Sequence, residues 1–177
     1  MRALLQRVRT ARITCSSGHT AAIGRGLLVL TGVERADTAE DVRALAAKLP
    51  HLRLFPDAAG VMNLSLLVMN SAAAGPHADG PPHQPGALLL VSQFTLHADT
   101  RRGRRPYYGA AAPPEQAVPL LEALRQELEE AGVPVASGVF GDHMEIELVA
   151  DGPVTLLLDT REPRAGSSPP PDASVTS

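Results

Sequence analysis

The stretch "MEIELVADGPVTLLLD", residues 144–159, decides how the chain is read. Met144, Ile146 and Leu148 alternate with Glu145 and Glu147, the period-two pattern of a strand with one dry face and one wet face. The apolar run from Val154 to Leu158 has the length of a second strand. Between them stands Gly152-Pro153. Its proline donates no backbone hydrogen bond, and its glycine invites close approach by another backbone or a ligand. The simplest expectation is a hairpin with "DGP" as its turn, and a sheet as the organising element of the fold.

Working toward the N-terminus, Pro114 suits the first position of a helix, and Ala117, Leu120, Leu121, Leu124 and Leu128 make one apolar face before Gly132. Pro119 is expected to bend that helix. Upstream, "ALLLVSQF" (87–94) is an apolar run ending in polar groups, the kind of strand end that often lines a site. "HLRLF" (51–55) reads as a short strand and "PDAAG" as a turn. Asp37 followed by Glu40 fits a capping box in its Asp variant. Val42, Leu45, Ala46 and Leu49 then keep helical spacing until Pro50. The first third reads as short strands at 3–8, 11–15, 19–23 and 27–33 punctuated by "SSG" and "GRG", most simply a β-meander. Residues 70–86, "NSAAAGPHADGPPHQPG", carry no periodicity and read as a mobile insertion, and 161–177 as a disordered tail. The expectation is one α/β domain over 1–160, with a mixed, mostly antiparallel sheet and two helices.

The chain has 177 residues and a formal net charge of −3, enough for one proper core and too little positive charge for a surface coated against nucleic acid. Any such contact must come from a local patch. Cys15 is the only cysteine, so no internal disulfide forms. The start, "MRALLQRVRT", lacks the apolar core of a signal peptide, and no apolar run reaches membrane-spanning length. The expected setting is soluble and cytoplasmic, with no membrane contact.

Much familiar chemistry is absent: there is no GxSxG elbow, Walker loop, HExxH or paired CxxC. The six histidines, His19, His51, His77, His83, His97 and His143, show no metal-ligand spacing, and each reads more simply as surface or packing. No metal and no cofactor is expected. An enzyme built this way needs little from acid-base side chains, so its substrate must be easy to cleave or must bring its own groups.

Two motifs remain, "SQFTL" (92–96) and "DGPVT" (151–155). Ser92, Gln93 and Thr95 offer hydroxyl and amide groups at a strand end, and Phe94 a flat ring able to stack on a base. The plainer reading is a strand end capping its own backbone with Phe94 in the core. "RRGRRP" (101–106) places Arg101, Arg102, Arg104 and Arg105 around a glycine. It suits either phosphate contacts or an ordinary solvated loop.

With "LLQRV" near the start, "SQFTL", "RGRRP", "GVFGDHM" and "DGPVT" in that order, residues 1–160 resemble the D-aminoacyl-tRNA deacylase family. Ser92-Gln93-Phe94 points to the D-amino-acid branch; relatives that edit other mischarged tRNAs often begin this block with proline. Departures are Ala150, where the family usually has Asn, and Val139, where it usually has a basic residue. The resemblance implies a homodimer that completes barrel-like sheet packing, and a cis Gly152-Pro153 pair protruding into the partner's active site. There its carbonyls would reject L-amino acids by clash. D-aminoacyl-tRNA is the implied substrate, with glycyl-tRNA mischarged on tRNA-Ala also admitted. Arg7 would hold the Gly-Pro loop. Backbone N–H groups around Phe94 and Thr95 would form an oxyanion hole, with the Thr95 hydroxyl as rival nucleophile. Ser92, Gln93, Phe94, Phe140 and Met144 would bind the terminal nucleotide and aminoacyl group. Rival functions are an editing deacylase for another mischarged tRNA and a non-catalytic tRNA-binding module.

Overall fold

The structure, a computed structural model, describes residues 1–73 and 85–161. Its backbone begins with β1 (Arg2–Cys15), a single 14-residue strand where two short ones were expected. Ala3 and Leu5 face one core, whereas Val8, Ala11, Ile13 and Cys15 face another. The switch coincides with two register irregularities against the last strand, at Gln6/Val8 and Val8/Thr10. A bulge shifts the side-chain phase without ending the strand, so the broken hydrophobic pattern imitated a break in the chain's path.

β2 (Thr20–Ile23) and β3 (Gly26–Gly32) do not form a meander with each other; both lie antiparallel to β1, on its second and first halves respectively. β3 is buried along almost its whole length and pairs in parallel with β6 (Ala87–Ser92), which pairs in parallel with β7 (Val135–Ser137). β4 (Phe55–Pro56) and β5 (Met62–Leu64) make a small separate hairpin. The expected strand at 51–55 is thus reduced to its last residue, because Leu49–His51 coil into a 3-10 turn with Pro50 near its start. The mixed sheet curls into a nearly closed barrel-like layer, and His19 Nε2 lies 3.0 Å from the Ser137 carbonyl across the gap.

The final strand, β8 (Met144–Asp159), corrects the hairpin expectation: it runs 16 residues in one direction, antiparallel to β1 from Cys15↔Met144 to Arg2↔Asp159. Residues 151–154 do not turn the chain. Between Val8↔Ala150 and Gln6↔Thr155, β1 advances two residues and β8 five, so Asp151-Gly152-Pro153-Val154 stands out as a large bulge. A Gly-Pro pair interrupts pairing locally in either case, and the sequence pattern does not separate a turn from a bulge.

Three α-helices are present among the described residues where two were expected. α1 (Ala39–Lys48) is capped one residue later than the Asp37/Glu40 reading: the Thr38 hydroxyl accepts from Glu40 N–H, and the Asp41 side chain accepts from Thr38 N–H. Asp37 is buried instead, taking the Glu34 N–H at 2.6 Å and the Met1 amine at 2.7 Å. The unexpected α2 (Leu66–Ala73) buries Leu66 and Met69, so the irregular segment does not begin at residue 70. Residues 74–84, with His77 and His83, and residues 162–177 lie outside the described residues. α3 (Pro114–Glu130) starts at Pro114 as expected and continues through Pro119. Val42, Leu45, Leu124 and Leu128 from α1 and α3 cover Leu27, Val29 and Leu88 to make the larger core. No helix among the described residues is long and apolar enough to cross a membrane.

Candidate functional site

The sheet delivers Ser92 at the end of β6, where the chain leaves pairing and coils into a 3-10 turn, Phe94–His97. Gln93 N–H still donates to the Thr31 carbonyl at 2.8 Å, and the Arg2 guanidinium donates to the Leu96 carbonyl at 2.9 Å, so the turn is tied to β3 and β1 at both ends. Among the described residues, the N–H groups of Phe94 and Thr95 have no hydrogen-bond acceptor. They are the orphan donors that open any helical turn. The Thr95 hydroxyl is 2.5 Å from Gln93 Nε2, an amide donor, and no basic side chain is hydrogen-bonded to it among the described residues.

A cleft of about 500 Å³ opens beside this turn. Ser92, Gln93 and Phe94 line it together with Phe140 and Met144. The plainer reading of Phe94 as core fails, since the ring is 55% exposed. Phe94 meets Tyr108 edge to face, centroids 5.0 Å apart at 71°, and that contact holds it upright at the cleft mouth. Phe140 rides on the loop between β7 and β8. Gly138, at the root of that loop, has no room for a side chain, because a Cβ there would stand 2.4 Å from the Met144 sulfur. The glycine therefore lets Met144 pack across to Ile13 and shape the cleft floor. Asp142, His143 and Tyr108 are the ionisable groups lining the cleft. They make no acid-base pair with each other; Asp142 accepts from the Ser17 N–H at 3.3 Å. Among the described residues no group of three or more His, Cys, Asp or Glu gathers as a metal site.

The structure does not bring Gly152 and Pro153 to this cleft. Neither is among the residues that line it, and their peptide bond is cis. Arg7 clamps their bulge from β1: its Nε donates to the Asp151 carbonyl at 2.9 Å and sits 3.1 Å from the Asp151 carboxylate, while its Nη1 donates to the Leu54 carbonyl. Gly152 and Pro153 themselves are exposed.

The arginine loop lies apart from both. Arg101 is folded back on Asp99, with Nη2 2.6 Å from the carboxylate and the Arg101 N–H donating to it as well. These bonds pull the Asp99 carboxyl down to about 2. Arg102, Arg104 and Arg105 are exposed, like Arg101. Sequence reasoning missed Tyr108 and the 3-10 turn itself. The aromatic pair in "RPYYG" was the only available signal for the former.

Comparisons with known proteins cover nearly the whole chain. A family model described as D-Tyr-tRNA(Tyr) deacylase fits residues 4–159. A D-aminoacyl-tRNA deacylase from Chloroflexus aurantiacus is 50% identical over 164 residues, 93% of each chain. One from Thermus aquaticus is 45% identical over 162 residues, 92% of this chain and 99% of that one. Among solved structures, a c-Myc DNA unwinding element binding protein superposes with a TM-score of 0.74 at 30% identity, over 90% of this chain and 99% of that one. A probable eukaryotic D-amino acid tRNA deacylase superposes at 0.69 with 18% identity, which speaks for the fold alone. With residues 4–159 fitted by the family model and a relative 50% identical over 93% of the chain, the chain belongs to the D-Tyr-tRNA(Tyr) deacylase family.

Proposed function

We propose that the cleft holds the 3′ end of a D-aminoacyl-tRNA, and that a second copy of the chain completes it. Family membership supplies the coarse activity, that of a D-aminoacyl-tRNA deacylase, a hydrolase. The observation that carries the finer reading is the pair of unbonded N–H groups at Phe94 and Thr95 beside an aromatic-walled cleft with no acid-base dyad. Phe94 and Phe140 bracket the terminal adenine, and Ser92 and Gln93 position its ribose. The two N–H groups receive the oxyanion as water attacks the ester carbonyl. The ester is already activated, so donors aimed at the developing charge suffice, and the neighbouring ribose hydroxyl orients the water. The Thr95 hydroxyl, with no basic side chain hydrogen-bonded to it among the described residues, is not the nucleophile.

The Gly152-Pro153 bulge serves the cleft of the partner copy. Its absence from the lining of its own cleft supports this, as does the free edge of β8, which leaves Leu148, Val149 and Leu157 exposed. An apolar strand edge of this length calls for a cover. Set against the α-carbon, the bulge excludes the side chain of an L-residue and leaves the D-side open. Glycine has no side chain to exclude, so glycyl-tRNA mischarged on tRNA-Ala also enters. Arg102, Arg104 and Arg105 meet tRNA phosphates, with Arg101 shared between Asp99 and the substrate. The work belongs in the cytoplasm, where charged tRNA is found.

Deacylation of one tRNA charged with matched D- and L-amino acids tests the reading. We expect the D-ester to be cleaved at least about 100-fold faster, the loss of a full transition-state contact for the L-form. Equal rates would leave an unselective editing enzyme, and no turnover a tRNA-binding module. Mixing two variants tests the shared site: Phe94→Ala damages the cleft and Arg7→Ala the bulge, and mixed dimers should regain the D-over-L selectivity that Arg7→Ala alone lacks.

A further inference from the structure

We infer that Gly32 and His97 form the seat that sets the height of the "SQFTL" turn, and hence the aim of its two free N–H groups. The inference rests on the proposed role of those N–H groups in receiving the oxyanion. His97 closes the 3-10 turn and is only 5% exposed, although it directly follows a run of surface residues. Its Nε2 finds no hydrogen-bond partner among the described residues. Packing, not hydrogen bonding, therefore holds the ring in place.

What it packs against is the last residue of β3. A Cβ at position 32 would stand 2.8 Å from His97 Cδ2, 2.9 Å from Nε2 and 2.9 Å from the Gln93 carbonyl oxygen. Real side chains do not tolerate such distances, so the ring and the carbonyl together occupy the space that any other residue at 32 would fill. The turn is thus fixed at three points. Gln93 N–H is bonded to Thr31 at its start, the Leu96 carbonyl to Arg2 near its end, and the underside rests on Gly32 through His97. Phe94 and Thr95 themselves are exposed. On its other side His97 borders a polar hollow of about 490 Å³ that it shares with Arg2, Glu34, Asp99, Arg101 and Tyr107. Gly32 and His97 touch neither substrate nor reacting atoms; they are positioning residues.

The test is the set Gly32→Ala, His97→Ala and the double variant, measured by steady-state deacylation of D-aminoacyl-tRNA and by binding of an amide-linked, non-hydrolysable D-aminoacyl-adenosine. A displaced donor acts on the transition state and not on ground-state binding. Gly32→Ala should lower kcat about 10- to 100-fold, in the range of a misplaced reacting group, with KM and analogue affinity within about threefold of wild type. His97→Ala should lower kcat less, at unchanged pH profile. The double variant should turn over at least about threefold faster than Gly32→Ala, because the new methyl then takes space the ring has vacated.

Wild-type kcat in both single variants, strictly additive losses, or a loss confined to KM would each overturn the seat. So would a missing limb in the His97→Ala pH profile, which would make the imidazole an acid or base. Should Gly32→Ala fail to fold, His97→Ala decides alone through its kcat-against-KM split and pH profile. If wild type cleaves no D-ester, the deacylase reading has failed and the seat falls with it. If wild type is active and the variants match it, only the seat has failed.

Discussion

Arg7→Ala removes the only side chain among the described residues that reaches both the Asp151 bulge and the Leu54 carbonyl. The Arg7 side chain is 10% exposed and that of Asp151 23%, so the contact is screened by protein more than by water. Truncation strands two carbonyl oxygens and one carboxylate. A hydrogen bond to a charged group contributes about 1.5–3 kcal/mol, and breaking a buried pair costs about 3–5 kcal/mol. Asp151 keeps some water and has Arg9 at 3.9 Å as a weak second partner. That places the loss at the lower end, about 3 kcal/mol. At about 2–4 °C per kcal/mol for a domain of this size, Tm should fall about 6–12 °C. The functional effect should be larger than the stability effect suggests, because the loosened segment is the bulge assigned to chiral exclusion. Measured well below Tm, hydrolysis of L-aminoacyl-tRNA should rise relative to the D-ester. Arg7→Lys should restore part of the stability but less of the selectivity, since one ammonium cannot span both carbonyls as the guanidinium fork does. Thermal unfolding followed by paired D- and L-deacylation reads both effects. An Arg7→Ala protein with unchanged Tm and unchanged D/L ratio would refute the clamp.

Other outcomes follow from the same geometry. Thr95→Ala keeps its N–H, so kcat should fall less than about tenfold, well short of the two to three orders of magnitude that a lost oxyanion donor costs; a folded, substrate-binding Thr95→Ala without turnover would make the hydroxyl the nucleophile. Replacing Arg102 and Arg104 by Ala should raise KM and lower the slope of log KM against log salt by about 1.5, nearly one unit per phosphate contact. An unaltered slope would return the loop to plain solvated surface. Asp99 is drawn from 3.8 to about 2, first by the Arg101 side-chain hydrogen bond and then by the Arg101 N–H. A depressed carboxyl favours the folded loop above its ordinary value and loses that preference as pH falls toward 2. The pair should therefore persist from pH 5 to 9 and add no pH dependence to KM there. Asp99→Asn should shift KM at all these pH values alike, and a shift confined to one end of the range would contradict the assignment.

The helices and the site motifs were the most legible parts of the chain. α3 announced itself by Pro114 and the Ala117–Leu128 stripe, because helical burial repeats at short range and needs no knowledge of the partner. α2 was missed because Leu66–Ala73 is apolar or small nearly all round, which leaves no contrast for periodicity to detect, and because it runs into an irregular segment. The cap of α1 slipped by one residue since Asp37 and Thr38 both precede an acidic residue at the right spacing. Only the buried amine partner of Asp37 tells them apart.

By itself the sequence determined that a mixed sheet with covering helices would form, that "SQFTL" would sit at a strand end, and that residues 1–160 resemble one deacylase family. Those properties follow from local pattern and from motifs whose order survives without coordinates. The tertiary structure alone decided that 144–159 is one strand carrying a bulge, that β2 and β3 both lean on β1, that Arg7 grips Asp151, and that Gly32 seats His97. Each depends on which backbone lies opposite, and the pairing partner of a strand is chosen by contacts far away in the chain. A Gly-Pro pair leaves the same mark in the sequence whether the chain turns back there or continues past it along β1.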